Sequence, residues 1–158
     1  MRSIRMLGSE EQKQRWLPDM ARLDKLGAFA LTEAAHGSDA VAVETTATPE
    51  GDGYVLDGEK RWIGNGTIAD VIVVWAHDIS DGQSRASSSK DAKGYDARLI
   101  VGKGSVRAVL QADITLHGVR VPIGNVLPGA RSFKDAVRVL ASPVSPLPGG
   151  AGTCRRRL

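Results

Sequence analysis

Phe29-Ala30-Leu31-Thr32-Glu33-Ala34-Ala35-His36-Gly37-Ser38-Asp39 is the stretch on which the fold reading turns. Phe29, Ala30 and Leu31 form a short apolar run suited to a buried strand. Thr32 and Glu33 bring polar groups to the strand end. Gly37, Ser38 and Asp39 supply loop chemistry: a glycine that admits close approach, a small hydroxyl and a carboxylate. A strand that delivers hydroxyls and backbone N–H groups into a turn is a cradle for a polar, anionic ligand. An ordinary strand-to-loop exit uses the same residues, and this stretch alone does not separate the two.

Outward from it, the punctuation is that of strands. Turn pairs recur at Asp52-Gly53, Asp57-Gly58, Asn65-Gly66, Asp81-Gly82, Lys93-Gly94 and His117-Gly118. Strands are expected at Val43–Thr48, Gly53–Leu56, Lys60–Ile63, Val71–His77, Tyr95–Ile100 and Val109–Leu116. Short strands without intervening helices indicate an all-β barrel or sandwich.

Helical pattern is confined to the two flanks. Residues 8–24 read as helix, with Ser9 as N-cap and Gln12 completing a capping box. Trp16, Leu17, Met20 and Leu23 would share a buried face. Pro18 divides the pattern, which predicts two short helices with Pro18 in the first turn of the second. Met1 to Leu7 carries no start signal. At the other flank, Ser132–Leu140 reads as a helix with Phe133, Ala136, Val137 and Leu140 on one face.

Composition excludes several classes. The chain has 158 residues with a hydrophobic share of 42%, enough for one packed domain and adjoining helix. No apolar run reaches membrane-spanning length, so no membrane partner is expected. The single cysteine, Cys154, gives neither a disulfide framework nor a metal spacing, and a reducing, cytoplasmic setting fits. The net charge is +3, but Arg155, Arg156 and Arg157 sit together at the end. Removing those three from 21 basic residues leaves 18, against 18 acidic ones, so no nucleic-acid partner is expected.

A second stretch narrows the reading: Tyr54-Val55-Leu56-Asp57-Gly58-Glu59-Lys60-Arg61-Trp62-Ile63-Gly64-Asn65-Gly66. Together the two resemble the acyl-CoA dehydrogenase family, whose middle domain carries Leu-Thr-Glu-Pro-x-x-Gly-Ser-Asp followed by Gly-Tyr-x-Leu-x-Gly-x-Lys-x-Trp-Ile. The likeness extends over most of residues 7–140. Trp62 to Gly66 and Gly102-Lys103-Gly104-Ser105-Val106-Arg107 resemble the glutaryl-CoA dehydrogenase-like branch. The resemblance implies a mainly β fold: a middle-domain β-barrel over 27–130, a remnant of an N-terminal helical domain over 1–26, and the start of a C-terminal helical domain over 131–141. Residues 142–158 read as a disordered tail.

The resemblance also implies chemistry. The family removes two hydrogens from an acyl-CoA thioester with FAD and passes electrons to an electron-transfer flavoprotein. Phe29, Leu31 and Thr32 would line the flavin, and Trp62, Ile63 and Gly64 would cover its ring. Gly37 and Ser38 would lie where cofactor and substrate meet, with Ser38 touching the acyl-CoA. Relatives often have Thr or Ser where this chain has Gly64, and Pro where it has Ala34. The family's catalytic Glu belongs to the C-terminal helical domain, so none is assigned here; that domain also carries much of the interface of the family's homo-oligomers. No metal site is expected. Read without the resemblance, Trp62 and Ile63 are barrel core, His36 is a loop surface residue, Glu33 is structural, and Lys103, Ser105 and Arg107 belong to a turn.

Two segments depart from the family pattern. Gln83 to Lys90 is polar and serine-rich where the family has an apolar strand, and by itself reads as a loop, noncatalytic over Ser84–Ser89. One possible coding, CAG TCA AGG GCT TCC TCG TCG AAG, regains the family strand on insertion of a single G after the first codon. The tail behaves likewise in a shifted frame. The chain as written is therefore expected to bind FAD weakly or not at all. Two other readings keep the scaffold: a noncatalytic nucleotide- or acyl-CoA-binding or assembly module, and a flavin monooxygenase or nitroalkane oxidase.

Overall fold

The computed structural model describes residues 1–82, 84–88 (backbone only) and 92–141. Helices α1 (Arg2–Leu7) and α2 (Glu10–Ala21) precede seven strands. These are β1 (Gly27–Ala30), β2 (Thr46–Glu50), β3 (Gly53–Gly64), β4 (Val71–Asp78), β5 (Ser84–Ser88), β6 (Tyr95–Leu99) and β7 (Gln111–Pro122). A 3-10 turn at Ile123–Asn125 and helix α3 (Phe133–Ala141) follow.

The strands form one sheet in the order β1-β4-β2-β3-β7-β6, with β5 added against β4. The β1–β4 pair is parallel, with Phe29 opposite Val73. Inward residues from strands far apart in that order, such as Ala30 on β1 and Leu116 on β7, belong to one cluster. The sheet therefore curls round its own interior, in the manner of a barrel.

Strand β4 is buried along Val71–Ala76 because both of its faces are covered. Ile72, Val74 and Ala76 enter the barrel interior. Val71, Val73 and Trp75 face a second core with Ile4, Leu7, Met20, Ala136 and Val139. Helices α1, α2 and α3 thus cover the sheet's outer apolar face. The capping box at Ser9 and Gln12 is present. The Gln12 amide also donates to the carbonyls of Gly124 (2.7 Å) and Val126 (2.9 Å), tying α2 to the exit from the sheet.

Several expectations need correction. α1 forms without a start signal because Ile4 and Leu7 bury against the sheet. Pro18 does not divide α2, which runs through it to Ala21; tertiary burial of Met20 outweighs the lost N–H bond. Leu23 is exposed and has a positive φ beyond the helix end. On α3 the buried residues are Ala136 and Val139, while Val137 and Leu140 are exposed, because packing beside α1 sets the helix rotation. Strand β2 starts at Thr46, not Val43, and extends to Glu50.

Asp57-Gly58 and His117-Gly118 are not turns. They meet within the β3–β7 ladder, where the register shifts between Leu56 and Gly58. Gly58 (φ +146°) and Gly118 (φ +58°) take up the irregularity, and the Gly118 amide donates to the Asp57 carboxylate at 2.8 Å. The two expected β3 strands are consequently one. Ser84–Ser88 is a strand rather than a loop, in register with β4 from Val73↔Ser88 to His77↔Ser84. Backbone pairing to a buried neighbour overrides the weak strand preference of serine. Gln83, Ser89, Lys90 and the tail 142–158 lie outside the described residues.

Candidate functional site

The two diagnostic stretches meet at the end of β1. The chain leaves the β1–β4 ladder after Ala30, and β3 takes over as neighbour. The Arg61 amide donates to the Thr32 carbonyl at 2.8 Å. Beneath this bond the Lys60 ammonium donates to the Leu31 carbonyl (3.2 Å) and to the Glu33 carboxylate (2.7 Å). Glu33 Oε1 also accepts from the amide and hydroxyl of Thr45, at 2.9 and 2.5 Å, and Oε2 accepts from the Glu44 amide at 2.7 Å.

The charges sit in opposite circumstances. Burial pushes the Glu33 carboxyl up, but the hydrogen bonds from Lys60, Thr45 and Glu44 together outweigh it and hold the group below its ordinary value. Burial pushes Lys60 down to about 8, although Glu33 pulls the other way. The Lys60 side chain is fully buried and that of Glu33 nearly so, which makes this a desolvated pair.

Trp62 follows at once and is held differently. The register shifts between Lys60 and Ile63, and Trp62 adopts φ +61°. A positive φ is uncommon for a bulky residue and marks a locally strained backbone. This bulge leaves Trp62 46% exposed while Ile63 is 2% exposed in the barrel interior. The Arg61 guanidinium lies 5.3 Å from the Trp62 ring centroid and 3.6 Å from the Asp113 carboxylate.

The expected site residues therefore divide. Thr32 and Trp62 flank the joining hydrogen bond, and a side chain at Gly64 would meet nothing within 4 Å. Gly37 and Ser38 are exposed on the loop after β1, and Gly37 too has open space beside it. Phe29 and Leu31 point to the helix-covered core, where Phe29 meets Trp75 at 6.4 Å between ring centroids. A groove of about 390 Å³ lies beside the loop, lined by Glu33, Ala34, Ala35, Glu44, Thr45, Gly58 and Glu59. His36 is paired with Glu44 at 2.9 Å. Lys103 closes its own turn, donating to the carbonyls of Val106 and Val109.

Residues 28–119 match the family described as acyl-CoA dehydrogenase, middle domain. The chain belongs to the acyl-CoA dehydrogenase family. The rat mitochondrial short-chain specific acyl-CoA dehydrogenase (Rattus norvegicus) is 38% identical over 143 residues, which cover 87% of this chain and 34% of that protein. A glutaryl-CoA dehydrogenase from Mycobacterium smegmatis superposes with a TM-score of 0.84 at 45% identity, over 87% of this chain and 35% of that one. A second structure from that organism, in complex with FADH2, gives 0.84 at 39% identity, over 87% and 36%. The chain thus spans between about a quarter and a little over a third of the length of the acyl-CoA dehydrogenases it matches.

The surface on this acyl-CoA dehydrogenase chain fits a planar aromatic ring with a polar edge. It presents an exposed indole at Trp62, open space beside Gly64 and a half-buried Thr32. No group of three or more potential metal ligands occurs among the described residues. No helix there is long and apolar enough to cross a membrane.

Lys60 and Thr45 are the residues that sequence reading missed. The signal for Lys60 was in the alternation of β3: Leu56, Gly58 and Lys60 share one parity, and Leu56 is an inward position.

Proposed function

We propose that residues 27–130 form the flavin- and thioester-facing wall of an FAD-dependent acyl-CoA dehydrogenase. Its substrate would be a short or dicarboxylic acyl-CoA. The observation that carries this reading is the Arg61–Thr32 hydrogen bond, which joins the two family stretches into one surface between Thr32 and Trp62. Bound FAD would supply the acceptor for a β-hydride, with an electron-transfer flavoprotein as the onward electron acceptor. The protein's part is to hold the ring against Trp62 and Gly64, and to orient the thioester beside Ser38.

The α-proton needs a carboxylate acceptor, and Glu33 is unsuited. It is buried, it already accepts four hydrogen bonds, and its affinity for a proton is lowered. Glu44 is paired with His36, and Asp113 with Arg61. As the family resemblance implies, the base would come from a C-terminal helical domain. On this reading the chain alone binds FAD weakly and does not dehydrogenate.

The test is to add FAD to the purified polypeptide and follow the flavin spectrum and dye reduction with glutaryl- and butyryl-CoA. Weak binding without bleaching agrees with the proposal. Stoichiometric flavin bleached by either thioester would require a base within the chain. Oxygen consumption with an amine or nitroalkane would move the reading to the oxidase or monooxygenase chemistry.

A further inference from the structure

We infer that the buried Glu33–Lys60 pair is a positioning device that holds the β1 exit carrying Thr32 against the β3 bulge carrying Trp62. It rests on the reading of that junction as the flavin wall. Beyond Ala30 the exit has no regular ladder partner among the described residues. What fixes it is one backbone bond, Arg61 to Thr32, and the Lys60 ammonium, which bridges the Leu31 carbonyl and the Glu33 carboxylate.

The pair also draws in a third segment. Glu33 accepts from both Thr45 and Glu44, just before β2. Thr45 packs so tightly on Gly58 that a side-chain carbon there would lie 2.7 Å from Thr45 Cα. One carboxylate thus ties together the β1 exit, the approach to β2 and the middle of β3. Two buried charges are a poor source of stability, since an apolar pair of similar volume commonly serves as well. What they supply is direction. Lys60 must point at Leu31 and Glu33, and the residue after Arg61 must then take the left-handed turn that sends Trp62 outward and Ile63 inward.

Amide exchange and the indole resonance of Trp62, measured by NMR on the Glu33→Gln/Lys60→Met double variant, test this. The variant removes both charges together, so no lone charge stays buried. The expected result is an Arg61 amide that exchanges about tenfold faster, with a shifted or broadened Trp62 indole and unchanged protection along β4. Should the double variant fail to fold, Glu33→Asp gives the same readout, because it keeps the charge and shortens its reach. An Arg61 amide and Trp62 indole that match the parent in a folded variant would overturn the inference. FAD added to the parent separates the two claims. If FAD moves no resonance of the parent, the proposed binding of FAD by this chain alone fails, while the loosening of Arg61 still decides the positioning role.

Discussion

The Arg61 amide and the Thr32 carbonyl meet at 2.8 Å, and through that bond two stretches separated by the whole of β2 become one surface. Thr32 stands at the end of a parallel strand and Trp62 on a bulge of an antiparallel one. Neither ladder alone would bring them together.

Removing one member of the buried pair leaves the other charge without compensation. Lys60→Ala should cost about 3–5 kcal/mol, a large share of a total stability of ~5–15 kcal/mol. Urea unfolding checks this, and a loss below about 1 kcal/mol would mean that Glu33 finds other compensation.

Acid should loosen the junction. The folded Glu33 carboxyl lies below its ordinary value of 4.5. Its contribution is therefore complete above that value and is lost as pH falls through the lower, folded value. Asp135, pushed up by partial burial but held down by Arg131, Ser132 and Arg138, acts in the same direction below its own ordinary value of 3.8. Lys60 slopes in the same direction at the alkaline end. Lowered from 10.5 to about 8, it makes stability rise with pH between those values, because the unfolded chain holds the proton longer. Thermal unfolding against pH should slope downward below about 4.5, and Glu33→Gln should flatten that slope. A parent curve that is flat there would contradict the account.

Two glycines of β3 should respond in opposite ways. Gly58 has φ +146° and lies against Thr45, so Gly58→Ala should destabilise by more than about 1 kcal/mol. Gly64 has open space, so Gly64→Ala should stay within about 0.5 kcal/mol of the parent. Denaturant midpoints of the two variants decide it, and equal losses would show that the open space at Gly64 is filled.

Gln12 holds more than its own helix. Besides capping Ser9 it satisfies the carbonyls of Gly124 and Val126. Gln12→Ala should cost about 1–3 kcal/mol, which chemical denaturation would register. A loss of a few tenths would show that solvent replaces those bonds.

Much of this was legible in the chain. The strand expected over Val71–His77 is present as β4, and Ser9 with Gln12 announced the start of α2. What escaped depended on neighbours distant in sequence. A single bulge separates the fates of Trp62 and Ile63, and alternation within one strand does not reveal where a bulge falls. Ser84–Ser88 pairs because β4 is there to pair with, and α1 forms because the outer face of the sheet is there to bury Ile4 and Leu7. The side chains of Phe29 and Leu31 pack toward the helices, while Thr32 stands at the junction.

The central claim is that the surface between Thr32 and Trp62 receives the flavin. The most direct measurement is an FAD titration followed through the backbone amides, for the parent and for Trp62→Gly. That variant removes the exposed ring and relaxes the positive φ, so it should fold at least as well. The account predicts weak, saturable shifts centred on Thr32, Trp62 and Gly64 in the parent, and their loss in Trp62→Gly. Shifts that survive the substitution, or that gather round Lys93, His117 and Arg120 on the far hairpin, would contradict it.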